Sequence, residues 1–95
     1  MKEDIELYSN PKIVLFKAKQ YYGKDVEIDF STRKDKKYMI KNPETNKWIH
    51  FGQYGMEDYT KHKDNLRREL FRHRNHKWAN ADKYTSSYMS YYILW

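Results

Sequence analysis

Apolar and polar positions alternate most regularly between Val26 and Phe30. Val26, Ile28 and Phe30 fall on one side of an extended chain, and Glu27 and Asp29 on the other, which predicts a strand. Lys12-Ile13-Val14-Leu15-Phe16-Lys17 is a β-rich apolar run bounded by charge and is also read as a strand, with Tyr21 to Lys24 as a turn. Ser31 to Lys36 forms a charged loop. Lys37 to Lys41 and Lys47 to Phe51 flank Asn42-Pro43-Glu44-Thr45-Asn46, where a proline and polar turn formers between two apolar runs predict a hairpin. Gly52 and Gly55 then break the strand, and their spacing suggests backbone at positive φ.

The pattern changes after Gly55. Asp64 or Asn65 caps a helix that runs to about His76. Leu66 and Leu70 are four apart, Phe71 widens their stripe, and Arg68 and Arg72 share a different side. The expectation is an apolar seam facing inward and a cationic ridge facing outward, with Trp78 anchoring the exit. Ala79 to Tyr84 is a polar connection. Ser86 to Trp95 reads as a final helix or as an extended aromatic tail. These elements predict one α+β domain over residues 1–95, a small antiparallel sheet followed by a basic helix and an aromatic C-terminal segment. Within it, residues 1–10 are a frayed start or short helix, 12–51 are strand-rich and 64–95 helical.

A chain of 95 residues buries only about 60–65% of its unfolded surface, so its core is thin. Ten Tyr, four Phe and three Trp compensate, and argue against wholesale disorder. Without cysteine there is neither a disulfide framework nor a thiolate metal site. Met1-Lys2-Glu3-Asp4 does not open like a secretory signal, and the apolar runs Ile13 to Phe16 and Tyr91 to Trp95 fall far short of the ~20 residues that span a bilayer. The expectation is a non-secreted protein with no membrane partner.

Charge sharpens the picture. The net charge is +6, yet residues 1–30 net −1 and residues 31–95 net +7. Lys61 to Lys77 holds Lys61, Lys63, Arg67, Arg68, Arg72, Arg74 and Lys77 against only Asp64 and Glu69. Cations at that density repel one another unless an anion lies nearby, and arginine's planar fork suits phosphate oxygens. The bland alternative is a solvated, charge-laced helix. Tyr54 and Tyr59 sit among these cations and suit base stacking. Tyr88, Tyr91, Tyr92 and Trp95 crowd the chain end and form a candidate assembly surface, with Tyr91, Ile93 and Leu94 left partly outward.

Catalytic signals are sparse. His50, Asp58 and His62 could serve a small nuclease as a His–Asp base, but no compact set of carboxylates accompanies them. His73 and His76 share a helical face that His62 could join, yet their basic surroundings repel a metal cation. No catalytic residue, metal or cofactor is assigned.

The order Trp48-Ile49-His50-Phe51-Gly52, Tyr54-Gly55, Asp58-Tyr59-Thr60, His62-Lys63-Asp64, Arg67-Arg68 and the closing Ile93-Leu94-Trp95 resembles a family of small basic proteins of large eukaryotic double-stranded DNA viruses. Mimivirus-like, phycodnavirus and iridovirus groups encode them. The resemblance covers roughly residues 37–95 and supplies a context, since the family's function is uncharacterised. It implies a virus-encoded protein of the host cytoplasm or nucleus, or of the virion. The leading expectation is non-enzymatic binding of DNA or RNA through Lys61, Lys63, Arg67, Arg68, Arg72 and Arg74. The second is a virion structural or interaction module that forms homo-oligomers through its Tyr/Trp-rich end, and the third is the nuclease.

Overall fold

Asn10 starts the first helix. Its side chain accepts hydrogen bonds from the backbone of Lys12 (3.2 Å) and Ile13 (3.3 Å), and Pro11 occupies the first helical position, where its missing N–H costs nothing. In the computed structural model, which describes residues 2–95, this helix (α1) runs Pro11–Tyr22 and stops at Gly23, φ +95°. The expected strand at residues 12–17 is therefore helical. The reason is visible in burial: Val14 and Ala18, one turn apart, are buried, while Leu15 and Phe16 between them are exposed.

Three strands follow: β1 (Ile28–Phe30), β2 (Lys36–Asn42) and β3 (Lys47–Gln53). They form an antiparallel meander in the order β1-β2-β3. The strand-rich region thus spans 28–53 instead of 12–51. Register sets Phe30 beside Tyr38 beside Phe51, and Ile28 beside Ile40 beside Ile49. Alternation puts these six residues on one face, and that face builds the core. The opposite positions, including Met39, Lys41, Trp48 and His50, belong to the other face. Phe51 is fully buried, whereas Trp48 lies 39% exposed opposite Lys41. Both glycines after the hairpin adopt positive φ, +82° at Gly52 and +97° at Gly55.

The chain end closes the core from the other side. Thr85 caps helix α4 (Ser86–Met89), which continues as a π-helical turn, Ser90–Leu94. Met89, Ile93 and Leu94 are buried against the sheet and α1. Ile93 and Leu94 were expected outward; the wider π turn brings both round to the side of Met89. At Gly52 this helix approaches the sheet so closely that a Cβ would lie 2.7 Å from Leu94 Cδ1. The fold is α+β around a single core.

Residues 2–10 are docked, which overturns the frayed start for them; Met1 lies outside the described residues. A 3₁₀ turn, Ile5–Leu7, buries Ile5, and Ser9 enters a buried polar seam. Tyr38 donates to Ser9 Oγ at 2.8 Å, Ser9 bonds Thr60 Oγ1 at 3.2 Å, and Thr60 donates to Asp58. Asp58 holds Lys37 Nζ at 3.0 Å, and Asp58 N–H donates to the Tyr8 carbonyl at 3.0 Å. The seam ties the N-terminal segment, β2 and the short helix α2 (Tyr59–His62) together. Burial pulls the Lys37 ammonium below the ordinary lysine range, and the Asp58 carboxylate opposes that pull.

Candidate nucleic-acid interface

Lys63, in the left-handed region at φ 54°, ends α2, and Asp64 caps the next helix by accepting from Leu66 N–H (3.0 Å) and Arg67 N–H (3.2 Å). Helix α3 spans Asn65–Arg74, with a 3₁₀ turn, His76–Asn80, beyond it. Its cap is as expected, but its orientation is not. Leu66 is 64% exposed and Leu70 half exposed, and no residue of α3 is fully buried. The side that turns inward carries Arg68 and Arg72.

Aromatic rings explain the reversal. Arg68 lies over the Tyr59 ring at 4.9 Å and its Nε donates to the Trp95 carbonyl at 2.7 Å. Arg72 lies over Tyr91 at 4.8 Å. Each such contact is worth roughly 0.5–2 kcal/mol, and the flat guanidinium also covers apolar surface. Phe71 stacks on Trp95 at 4.3 Å and 6°, and Trp78 meets Phe71 edge-on, so Trp78 does anchor the helix exit. The ridge of Arg68 and Arg72 expected to face outward is thus turned inward and half-buried, while Arg67 and Arg74 are the exposed arginines of the helix.

A third cation joins the inward pair from α1. Lys17 Nζ lies 5.9 Å from the Tyr59 ring. Its ammonium is held below the ordinary lysine range, first by burial and then by the charges of Arg68 and Arg72, with Asp58 opposing the shift. Lys17 and Arg68 therefore share the Tyr59 ring, and Arg72, over Tyr91, is near enough for its charge to act on Lys17. No Asp or Glu side chain pairs with any of them among the described residues, whose ion pairs are Lys37–Asp58 and an exposed Arg67–Glu57 contact at 3.3 Å. Arg72 Nε is buried with no hydrogen-bond partner. A group of half-buried cations without a paired carboxylate is suited to an anion at its accessible edge.

The other predicted positions distribute around this site. Lys61 and Lys63 are exposed just before α3. Tyr59 stands at the centre and donates to Asn65 Oδ1 at 2.7 Å. Tyr54 belongs to a separate cluster, edge-on to Tyr8 at 5.5 Å with Lys2 over its ring at 4.7 Å. Tyr88, Tyr91, Tyr92 and Trp95 are all half-buried by contacts within the chain. Tyr88 packs against Tyr22, Tyr92 against Tyr21 while donating to the Ala79 carbonyl, and Tyr91 supports Arg72.

The three nuclease candidates go separate ways. Asp58 is held by Lys37 and Thr60. His50 bonds Ser31 Oγ at 2.6 Å, and His62 Nδ1 accepts from Asp64 N–H at 2.9 Å while its ring packs on Trp95. No hydrogen bond joins the three. Both histidines are held below the ordinary imidazole range, chiefly by burial, with Arg33 adding to the effect at His50 and Arg67 at His62. His76 Nδ1 lies 3.1 Å from the His73 carbonyl, and among the described residues no group of three or more His, Asp or Glu converges on a metal site.

Sequence reasoning missed Lys17, because a strand at residues 12–17 gives it no route to Arg68. The signal was present in Asn10-Pro11, a cap followed by proline at the first helical position.

These features define a small basic α+β protein whose half-buried arginines rest on aromatic rings beside Lys17. Residues 26–75, from the strand region through α3, match the family of unknown function DUF5754. The match covers more than half of the chain, and the chain belongs to that family. No curated protein and no solved structure matches it.

Proposed function

We propose that this protein binds nucleic acid through its phosphates and performs no chemistry on it. The observation that carries this reading is the gathering of Lys17, Arg68 and Arg72 on the rings of Tyr59 and Tyr91, where among the described residues none of the three forms an ion pair and Asp58 only partly offsets the repulsion at Lys17. Holding like charges together is costly, and a backbone phosphate beside these side chains offsets that cost. The exposed Lys61, Lys63, Arg67 and Arg74 extend the cationic surface to neighbouring phosphates. Tyr59 adds a ring beside the phosphate track. The resemblance of residues 37–95 to small basic proteins of large DNA viruses suggests the setting, a viral protein acting in the host cytoplasm or nucleus or within the virion.

The test is a salt titration against duplex and single-stranded DNA and RNA. Neutralising about four to six duplex phosphates gives a slope of log K against log salt of roughly −4 to −5. The exposed variant Lys61→Ala/Lys63→Ala/Arg74→Ala flattens it by about two to three, and Lys17→Gln/Arg72→Gln by about two, with all sequences weakened alike. Folded variants with the parental slope would remove this surface from the interface.

A further inference from the structure

We infer that the pocket between β3, α3 and α4 receives an unstacked nucleobase with its attached phosphate. The inference rests on the nucleic-acid reading above and gives it a second, separate contact. The pocket encloses about 390 Å³, within the roughly 300–1,000 Å³ typical of small-ligand sites. Its apolar lining is Phe71, Trp78, Leu94 and Trp95, with Phe71 stacked on Trp95 and Trp78 edge-on to Phe71. Aromatic side chains of this kind meet nucleobases in single-strand binders.

Charge and polarity narrow the occupant further. Arg67 and Arg74, seven apart on α3, stand on one side of the pocket, and Lys36 of β2 also lines it. The carboxylate among the lining residues, Glu57, is already paired with Arg67. The occupant therefore carries negative charge beside an apolar, ring-shaped body. Ser86 and Ser90, one turn apart on the C-terminal helix, and Gln53 at the end of β3 bring hydroxyl and amide groups to the same space. Those groups both donate and accept, as the edge of a base requires. An acidic peptide with an apolar side chain satisfies the charge and the apolar lining, and its backbone amides can use the same polar groups, so it is the rival occupant in the test.

Trp78 and Trp95 line the pocket and report on it, whereas Trp48 does not line it. The experiment titrates AMP, UMP, adenosine and inorganic phosphate into the full chain while following tryptophan emission. The monophosphates are expected to quench emission saturably, adenosine at least tenfold more weakly, and phosphate not at all. Trp48→Phe should retain the quench. Arg74→Ala, an exposed change, should weaken AMP five- to tenfold, and Leu70→Glu, which places a carboxylate at the pocket, at least as much. Monophosphate quenching that is absent, or unaltered in both variants, overturns the inference. So does competition by a Phe-Glu-Glu peptide that binds the pocket while AMP does not. If AMP fails but salt-dependent oligonucleotide binding persists, the pocket inference alone falls. If wild-type protein shows no salt-dependent oligonucleotide binding, the broader reading falls instead.

Discussion

Replacing Lys37 with Met removes one end of a buried ion pair and leaves the other end in place. Lys37 and Asp58 side chains are 2% and 1% exposed, with Nζ and Oδ2 3.0 Å apart. After Lys37→Met, the Asp58 carboxylate keeps the Thr60 hydroxyl but loses its counter-charge. After Asp58→Asn, the ammonium keeps only the Tyr8 carbonyl at 3.4 Å. Stranding a buried charge costs about 3–5 kcal/mol, against a total stability of about 5–15 kcal/mol for a domain. Either single change should therefore lower the urea midpoint by about 2 M at the slopes typical of small proteins. The double variant Lys37→Met/Asp58→Asn carries neither charge, and Asn retains an acceptor for Thr60. Its cost should fall short of the sum of the singles by about 2–3 kcal/mol. Equilibrium urea unfolding, followed by circular dichroism and tryptophan emission together, measures all four corners of the cycle. Single variants within 1 kcal/mol of the parent, or costs that add to within about 0.5 kcal/mol, would show that the pair is not the strap described here.

Two further predictions concern the same architecture. His62 is held below its ordinary value, so between that lowered value and about 6.5 the unfolded chain binds more protons than the folded one, and stability falls on acidification through this window. Urea midpoints at pH 5.5–7.5 should decline toward acid and decline less steeply in His62→Gln; equal slopes contradict the assignment. Gly52→Ala combines positive φ with a 2.7 Å approach to buried Leu94 and should cost about 2 kcal/mol or more, whereas Gly55→Ala, with nothing within 4 Å of its Cβ, pays only the backbone penalty of about 1 kcal/mol. Thermal melts separate the two, and equal losses would discount the contact with Leu94.

The parts of this fold that local physics decides were legible in the residues. Period-two alternation in Val26 to Phe30, and the Asn42 to Asn46 turn between apolar runs, led to the observed meander, because one buried face specifies register. Asp64 was legible as a cap for the same kind of reason. Helix α1 was legible too, but the four-residue apolar run from Ile13 outweighed a stronger local signal, Asn10-Pro11 at one end and Gly23 at the other. The inversion of α3 is different in kind. Leu66 and Leu70 form an apolar stripe whose burial depends on a partner surface, and the surface available is a set of rings contributed by Tyr59, Tyr91 and Trp95. An arginine laid on a ring covers apolar surface and keeps its charge, so the rings take Arg68 and Arg72 and leave the leucines outside. Nothing in the periodicity of α3 encodes that choice. The candidate site follows from it: the basic composition of Lys61 to Lys77 announced a partner for phosphate, while the centre of the site depends on Lys17, some fifty residues upstream. Only the packing of α1 against the C-terminal helix brings that lysine to Tyr59, so the charge was readable along the chain and its focus was not.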